Sequence, residues 1–230
     1  MNATNKILTL AFLFFFVGQI TAQTAIGFRA GVNIANVKAF GISNAIPVNT
    51  QSIFGPNLAL VAEFGLGNNF ALQTELNYLT RGFQVRESID LDLFGANVPL
   101  GATAITKINY LDIPVLAKYK FGSEKLSAYL TAGPVLGYAL NGRLETRANF
   151  LIDVPVYDTD INLSSDNINR FEFGASLGAG VSFNTSAGNF FIDARYTQGF
   201  TQMDQISFLD LNIKNQGFGI SAGYMIPLTN

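Results

Sequence analysis

The chain has 230 residues, 49% of them hydrophobic and only 13% charged, with a mean hydropathy of +0.28 and a formal net charge of −2. It contains no Cys and no His, which excludes disulfides, thiolate nucleophiles, metal sites built on either residue, and any catalytic triad or general base that uses an imidazole. The near-neutral charge offers no clustered basic surface of the kind nucleic acid requires, so no nucleic-acid partner is expected.

Residues 1–22 read as a secretory signal peptide. Asn5 and Lys6 supply a short basic start, Ile7 to Val17 an apolar core, and Gly18 to Gln23 a small and polar end with cleavage expected at Ala22. The apolar run is shorter than the ~20 residues a membrane helix needs. No Cys follows it, which excludes a lipid-anchored form. Residues 23–230 then form a single domain.

From Thr24 onward the apolar residues recur at every second position, the period of a β-strand with one greasy face and one polar face. The first strand, Thr24 to Val37, sets Ile26, Phe28, Ala30, Val32 and Ile34 against Gly27, Arg29, Gly31 and Asn33. The second, Phe54 to Leu66, sets Phe54, Leu58, Leu60 and Phe64 against Asn57 and Glu63, and Gly67-Asn68-Asn69 makes a tight turn. The third turns Phe70, Leu72, Thr74, Leu76 and Tyr78 away from Gln73, Glu75, Asn77 and Arg81. A long polar connection is expected from Glu87 to Ala104.

The fourth strand opposes Leu111, Ile113, Val115, Tyr119 and Phe121 to Tyr110, Asp112, Lys118 and Lys120, and the turn Gly122 to Lys125 leads into the fifth. There Leu126, Leu130, Leu136 and Leu140 oppose Ser127, Tyr129 and Thr131. The longest connection is expected over Asn141 to Ile168. The sixth strand opposes Phe171, Phe173, Leu177 and Phe183 to Glu172, Gly174, Gly178 and Gly180. The seventh opposes Phe190, Ile192 and Tyr196 to Asp193 and Arg195. After a loop over Thr201 to Ile213, the eighth opposes Phe218, Ile220 and Tyr224 to Gly217, Gly219, Ser221 and Gly223.

Eight such strands joined by alternately short and long connections predict an all-β fold, a closed antiparallel transmembrane β-barrel. Short turns belong to the periplasmic side, so both termini are expected there. Aromatics cluster at strand ends and aliphatics in their middles, as two membrane interfaces would order them. That places the protein in an outer membrane, with lipid, lipopolysaccharide and the barrel-insertion machinery as expected partners.

The polar face collects Arg29, Arg81, Lys118, Lys120 and Arg195 with Glu63, Glu75, Asp112, Glu172 and Asp193, five charges of each sign. Because an unpaired buried charge costs several kcal/mol, such balance on a confined face predicts a paired network filling the lumen. Glu63, Glu75, Lys118, Asp193 and Arg195 are expected to meet in one cluster near the periplasmic turns, with Arg29 and Tyr129 at its margin. No catalytic residue, cofactor or metal site is expected; the acids Asp153, Asp158, Asp160 and Asp166 read as solvated loop residues rather than a Ca²⁺ site. The resulting expectation is a non-enzymatic barrel with loops available for an extracellular partner. A narrow or gated small-solute channel is the alternative, and a soluble lipocalin-like carrier a third that would need the apolar face turned inward.

The segments IGFRAGVNIANV (Ile26 to Val37), FALQTELNYLTRGF (Phe70 to Phe83), YLDIPVLAKYKF (Tyr110 to Phe121), AGPVLGYAL (Ala132 to Leu140) and FIDARYTQGF (Phe191 to Phe200), in that order, resemble the outer-membrane β-barrel domain family of Bacteroidota, often labelled "porin family" or PorT-like. The resemblance implies an eight-stranded barrel in the outer membrane and leaves activity open, since a fold does not fix a function. No peptidoglycan-binding domain is expected after Asn230, in contrast to full-length OmpA-like anchors.

Overall fold

The structure is a computed structural model, and it describes residues 24–41, 50–67, 69–93, 96–150, 152–161, 163, 169–201 and 211–228. The expected signal peptide lies outside these residues. The described chain forms ten strands: β1 Thr24–Gly41, β2 Thr50–Gln51, β3 Ile53–Gly65, β4 Phe70–Leu93, β5 Ala96–Gly122, β6 Leu126–Phe150, β7 Ile152–Ile161, β8 Phe171–Thr185, β9 Gly188–Gly199 and β10 Leu211–Pro227. Eight of them close a ring. Its order is β1–β3–β4–β5–β6–β8–β9–β10, with β10 returning to β1 along Ala25↔Pro227 to Gly41↔Leu211. Every pairing is antiparallel, and closure removes the free edges that an open sheet would present.

The period-2 pattern explains which side is which. On β8 the exposed residues Phe171, Phe173, Leu177, Val181 and Phe183 alternate with the buried Glu172, Gly174, Ser176 and Gly178. The outer wall of the ring is therefore apolar and the interior polar, the reverse of a soluble carrier. Aromatic residues meet across neighbouring strands at both ends. Phe70 pairs with Tyr119 at 4.9 Å and Phe190 with Tyr224 at 4.6 Å near the short turns, while Tyr138 pairs with Phe171 at 4.9 Å toward the other end. Each is also a directly opposed pair in the strand register, where side chains stand close enough to contribute ~0.2–1 kcal/mol. The short turn after β5 uses Gly122, whose φ of 122° disfavours a side chain.

Two expected loops are instead paired strand. The segment Glu87 to Ala104 continues the β4–β5 hairpin, with ladder pairs from Glu87↔Ala102 to Leu93↔Ala96. Residues 141–150 extend β6, which turns back through β7. The acids and Pro99 in these segments obscure the alternation in sequence, whereas the backbone still gains by satisfying its N–H and C=O groups in a ladder. A bulge at Asn109/Tyr110 marks where the extension leaves the ring. Leu163 returns onto Leu79, Ile108, Tyr110 and Ala139, forming an apolar cap over that end of the interior.

Candidate functional site

The interior is occupied by side chains from all the ring strands, and small residues make the space for them. Gly178 lies directly across from Arg195, where an added Cβ would sit 2.7 Å from the Arg195 Cγ and 2.7 Å from the Thr131 hydroxyl. Gly137 opposes Asp112, and a Cβ there would lie 2.6 Å from its Oδ1. The inward glycines thus act as the concave side of charged residues one strand away.

The charges divide into two layers. In the lower layer, nearer the short turns, Glu75 of β4 accepts from two guanidinium groups at once. Arg29 Nη2 approaches its Oε2 at 2.8 Å and Arg195 Nη1 its Oε1 at 2.7 Å, so β1, β4 and β9 are bridged across the bore. Arg195 Nη2 also bonds Asp193 Oδ2 at 2.7 Å, and Arg29 Nη1 donates to Ser221 at 2.8 Å while lying 3.8 Å from Asp193 Oδ1. Gln73 donates to Glu75 at 2.6 Å and accepts from Lys118 at 3.1 Å. Lys118 in turn pairs with Glu63 at 2.8 Å and sits 3.9 Å over the Tyr129 ring, whose hydroxyl reaches Asp193 at 3.4 Å. Lys120 pairs with the second oxygen of Glu63, and its half-buried side chain closes the layer toward the mouth.

The upper layer is a separate trio. Arg81 Nη2 meets Asp112 Oδ2 at 2.5 Å and Arg81 Nη1 lies 3.2 Å from Glu172 Oε1. The Arg81 guanidinium stacks 4.7 Å from the Tyr110 ring, and Asn215 donates to Glu172 at 2.6 Å. Above it lies the apolar cap.

All ten expected charges therefore sit in the interior, but in two layers rather than one network. Glu63, Glu75, Lys118, Asp193 and Arg195 do meet, together with Lys120; Arg81, Asp112 and Glu172 form the second group. Arg29 and Tyr129 are not marginal: Arg29 is 2% exposed and joins Glu75 to Asp193, and Tyr129, 1% exposed, packs between Lys118 and Asp193. The reason is the strand stagger. Arg29 is level with Ala59, which is level with Asn77, so Arg29 lies one inward position from Glu75 across the small Ala59. Gln73 and Ser221 are inward polar positions in the sequence pattern, and their partners depend on that stagger. Asn215 falls next to an expected loop, where alternation carries no signal.

No cluster of three or more Asp or Glu side chains suited to a metal occurs among the described residues. Asp158 and Asp160 instead flank Arg143 at 3.5 and 3.6 Å on the extension; Asp166 and the Asp153 side chain lie outside the described residues. Outside the ring, Glu145 is held below the usual carboxylate range chiefly by the hydrogen bond from Lys107 at 2.7 Å, with Arg147 adding at 3.0 Å.

A closed eight-stranded ring with an apolar wall and a polar, charge-paired interior defines a membrane β-barrel. Residues 19–205 match the family model described as outer membrane protein beta-barrel domain, and the chain belongs to that family and to the outer membrane. Among solved structures it is similar to the outer membrane protein OprG from Pseudomonas aeruginosa, at 12% identity over 90% of this chain and 97% of that one, with a TM-score of 0.46. It is also similar to Ail of Yersinia pestis, at 18% identity over 89% and 99% with a TM-score of 0.40. A major outer membrane protein from Thermus thermophilus shares 11% identity over 88% and 98%, with a TM-score of 0.40. Comparison with curated proteins finds no match.

Proposed function

We propose that this protein is a non-enzymatic outer-membrane barrel whose lumen is closed by its own charge-paired side chains, and whose projecting β4–β7 ladder is the part available to an extracellular partner. The observation that carries the reading is Glu75. One carboxylate, fully enclosed, is bonded by guanidinium groups from two other strands, so the middle of the bore is spanned by side chain. An eight-stranded ring is just wide enough to be filled this way. In this reading the short turns and both termini face the periplasm, after removal of residues 1–22, and the ladder faces outward. Lipid and lipopolysaccharide contact the apolar wall and its aromatic bands, and the barrel-insertion machinery delivers the chain. The segment resemblance supports a place among the Bacteroidota PorT-like members.

Among the described residues the interior carboxylates are each engaged by Arg, Lys, Asn or Gln, and none forms a nucleophile–base pair of the usual kind. The test is single-channel recording of the refolded full chain in a planar bilayer. Silence over long recordings is expected; a steady open conductance would move a narrow channel to first place.

A further inference from the structure

Between the two charge layers lies a cavity of about 30 Å³, walled by polar side chains and by Leu79, Pro114 and Val135. Its walls include five residues, each more than nine-tenths buried, that have hydrogen-bonding capacity left over. Arg29 Nε and Arg195 Nε donate to nothing among the described residues, and Asn57 Oδ1, Asn77 Oδ1 and Asp112 Oδ1 accept from nothing. Donors thus come from the lower layer and the Asp112 acceptor from the upper one, around one shared space. Leaving five such groups unmet in a dry interior would be costly at each atom.

The charge balance says what kind of guest fits. The lower layer holds Arg29, Lys118, Lys120 and Arg195 against Glu63, Glu75 and Asp193, one positive charge in excess. The upper layer holds Arg81 against Asp112 and Glu172, one negative charge in excess. The interior as a whole is neutral, so a captured cation or anion would add a charge with no partner. A neutral molecule that accepts from Arg29 and Arg195 and donates toward two of the three acceptors Asp112, Asn57 and Asn77 fits the pattern without adding a charge. A water needs ~10–15 Å³ of such space and two to four polar partners, and the cavity supplies both.

We propose that this cavity is a built site for a neutral donor–acceptor molecule of water's size, held as an ordered water that ties the lower charge layer to the upper one. The inference rests on the closed-lumen reading and deepens it: the plug is two layers joined through a bound guest. Asn57 and Asn77 are its positioning residues.

The test uses the ¹⁵N-labelled full chain in phospholipid bilayers, with solid-state NMR transfer of magnetisation from water to side-chain amides. Transfer is expected at Asn57 and Asn77 and is expected to be absent at Gln73, which is buried within the lower layer. Asn77→Leu should fill the cavity and abolish transfer at Asn57 while the far-UV spectrum and the heat-modifiable mobility of the folded barrel persist. If Asn77→Leu does not insert, Asn57→Leu read at Asn77 gives the same comparison. Absence of transfer at both Asn side chains, or transfer unchanged by the filling variant, would overturn the site. So would an anomalous signal in the cavity of crystals grown in rubidium chloride, which would mark an ion. Transfer at Gln73 as strong as at Asn57 would instead reveal a continuous wet bore and sink the closed-lumen reading itself.

Discussion

The pair Arg195–Glu75 inside the ring and the pair Arg143–Asp158 on the extension join the same chemical groups, yet they sit in opposite surroundings. The first has side chains 7% and 0% exposed and a contact of 2.7 Å; the second has both side chains 55% exposed and a contact of 3.5 Å. The buried pair is shielded from bulk solvent that could replace a lost partner, whereas on the extension bulk water does so freely. The same difference separates the two halves of β6. Between Leu126 and Leu140 its residues are divided between an apolar wall and a packed interior, while beyond Asn141 the alternation only decides which face of a ladder a residue occupies. Ion pairing holds the barrel interior together, and on the ladder it mainly dresses a surface.

That contrast is broken first by removing an interior charge. Arg195→Ala leaves Glu75 and Asp193 each short of a partner, and a destabilisation of about 3–5 kcal/mol is expected in urea unfolding in lipid. A loss under about 1 kcal/mol would mean that bulk water reaches the site. Next comes the wall. Leu60→Arg or Val115→Arg, at exposed positions in the aliphatic zone, should cost about 2–4 kcal/mol in the same assay. Neutral behaviour of both would show that this face does not meet lipid. On the extension, Arg143→Ala should cost at most about 1 kcal/mol, because an exposed pair gains little.

The smallest effect concerns acid. The native carboxyl of Glu145 is held low by Lys107, so the contact stabilises the ladder fully above the ordinary glutamate value of 4.5. As pH falls below that value the contribution shrinks, and it is gone once pH passes the depressed native value. Amide protection near Lys107 and Glu145 should therefore fall at low pH, and Lys107→Ala should weaken that pH dependence. Protection that stays flat through the range in the unmodified chain would show that the contact does not stabilise the ladder.

The ring is legible in the sequence because eight segments carry uninterrupted alternation between a lipid wall and a filled interior, and the charged residues named from it all point inward. The ladder is not, since Asp90, Asp92 and Pro99 hide a strand whose sequence shows no clean alternation to advertise it. The central place of Arg29 escapes the sequence for a different reason. Its partners are set by the stagger between β1, β3 and β4, a property of the closed ring that no single strand encodes. The cavity between the layers depends on the same stagger, because Asn57, Asn77 and Asp112 converge only when three strands are in register.

Equal chemistry carries unequal weight on the two sides of this molecule, and a pair of double-mutant cycles measures the difference directly. The Arg195/Glu75 cycle, with Ala and Gln as the replacements, should give a coupling of roughly 2 kcal/mol or more, and the Arg143/Asp158 cycle a coupling within about 0.5 kcal/mol of zero. Equal couplings for the two pairs, both near zero, would contradict a cross-braced lumen closed to bulk water.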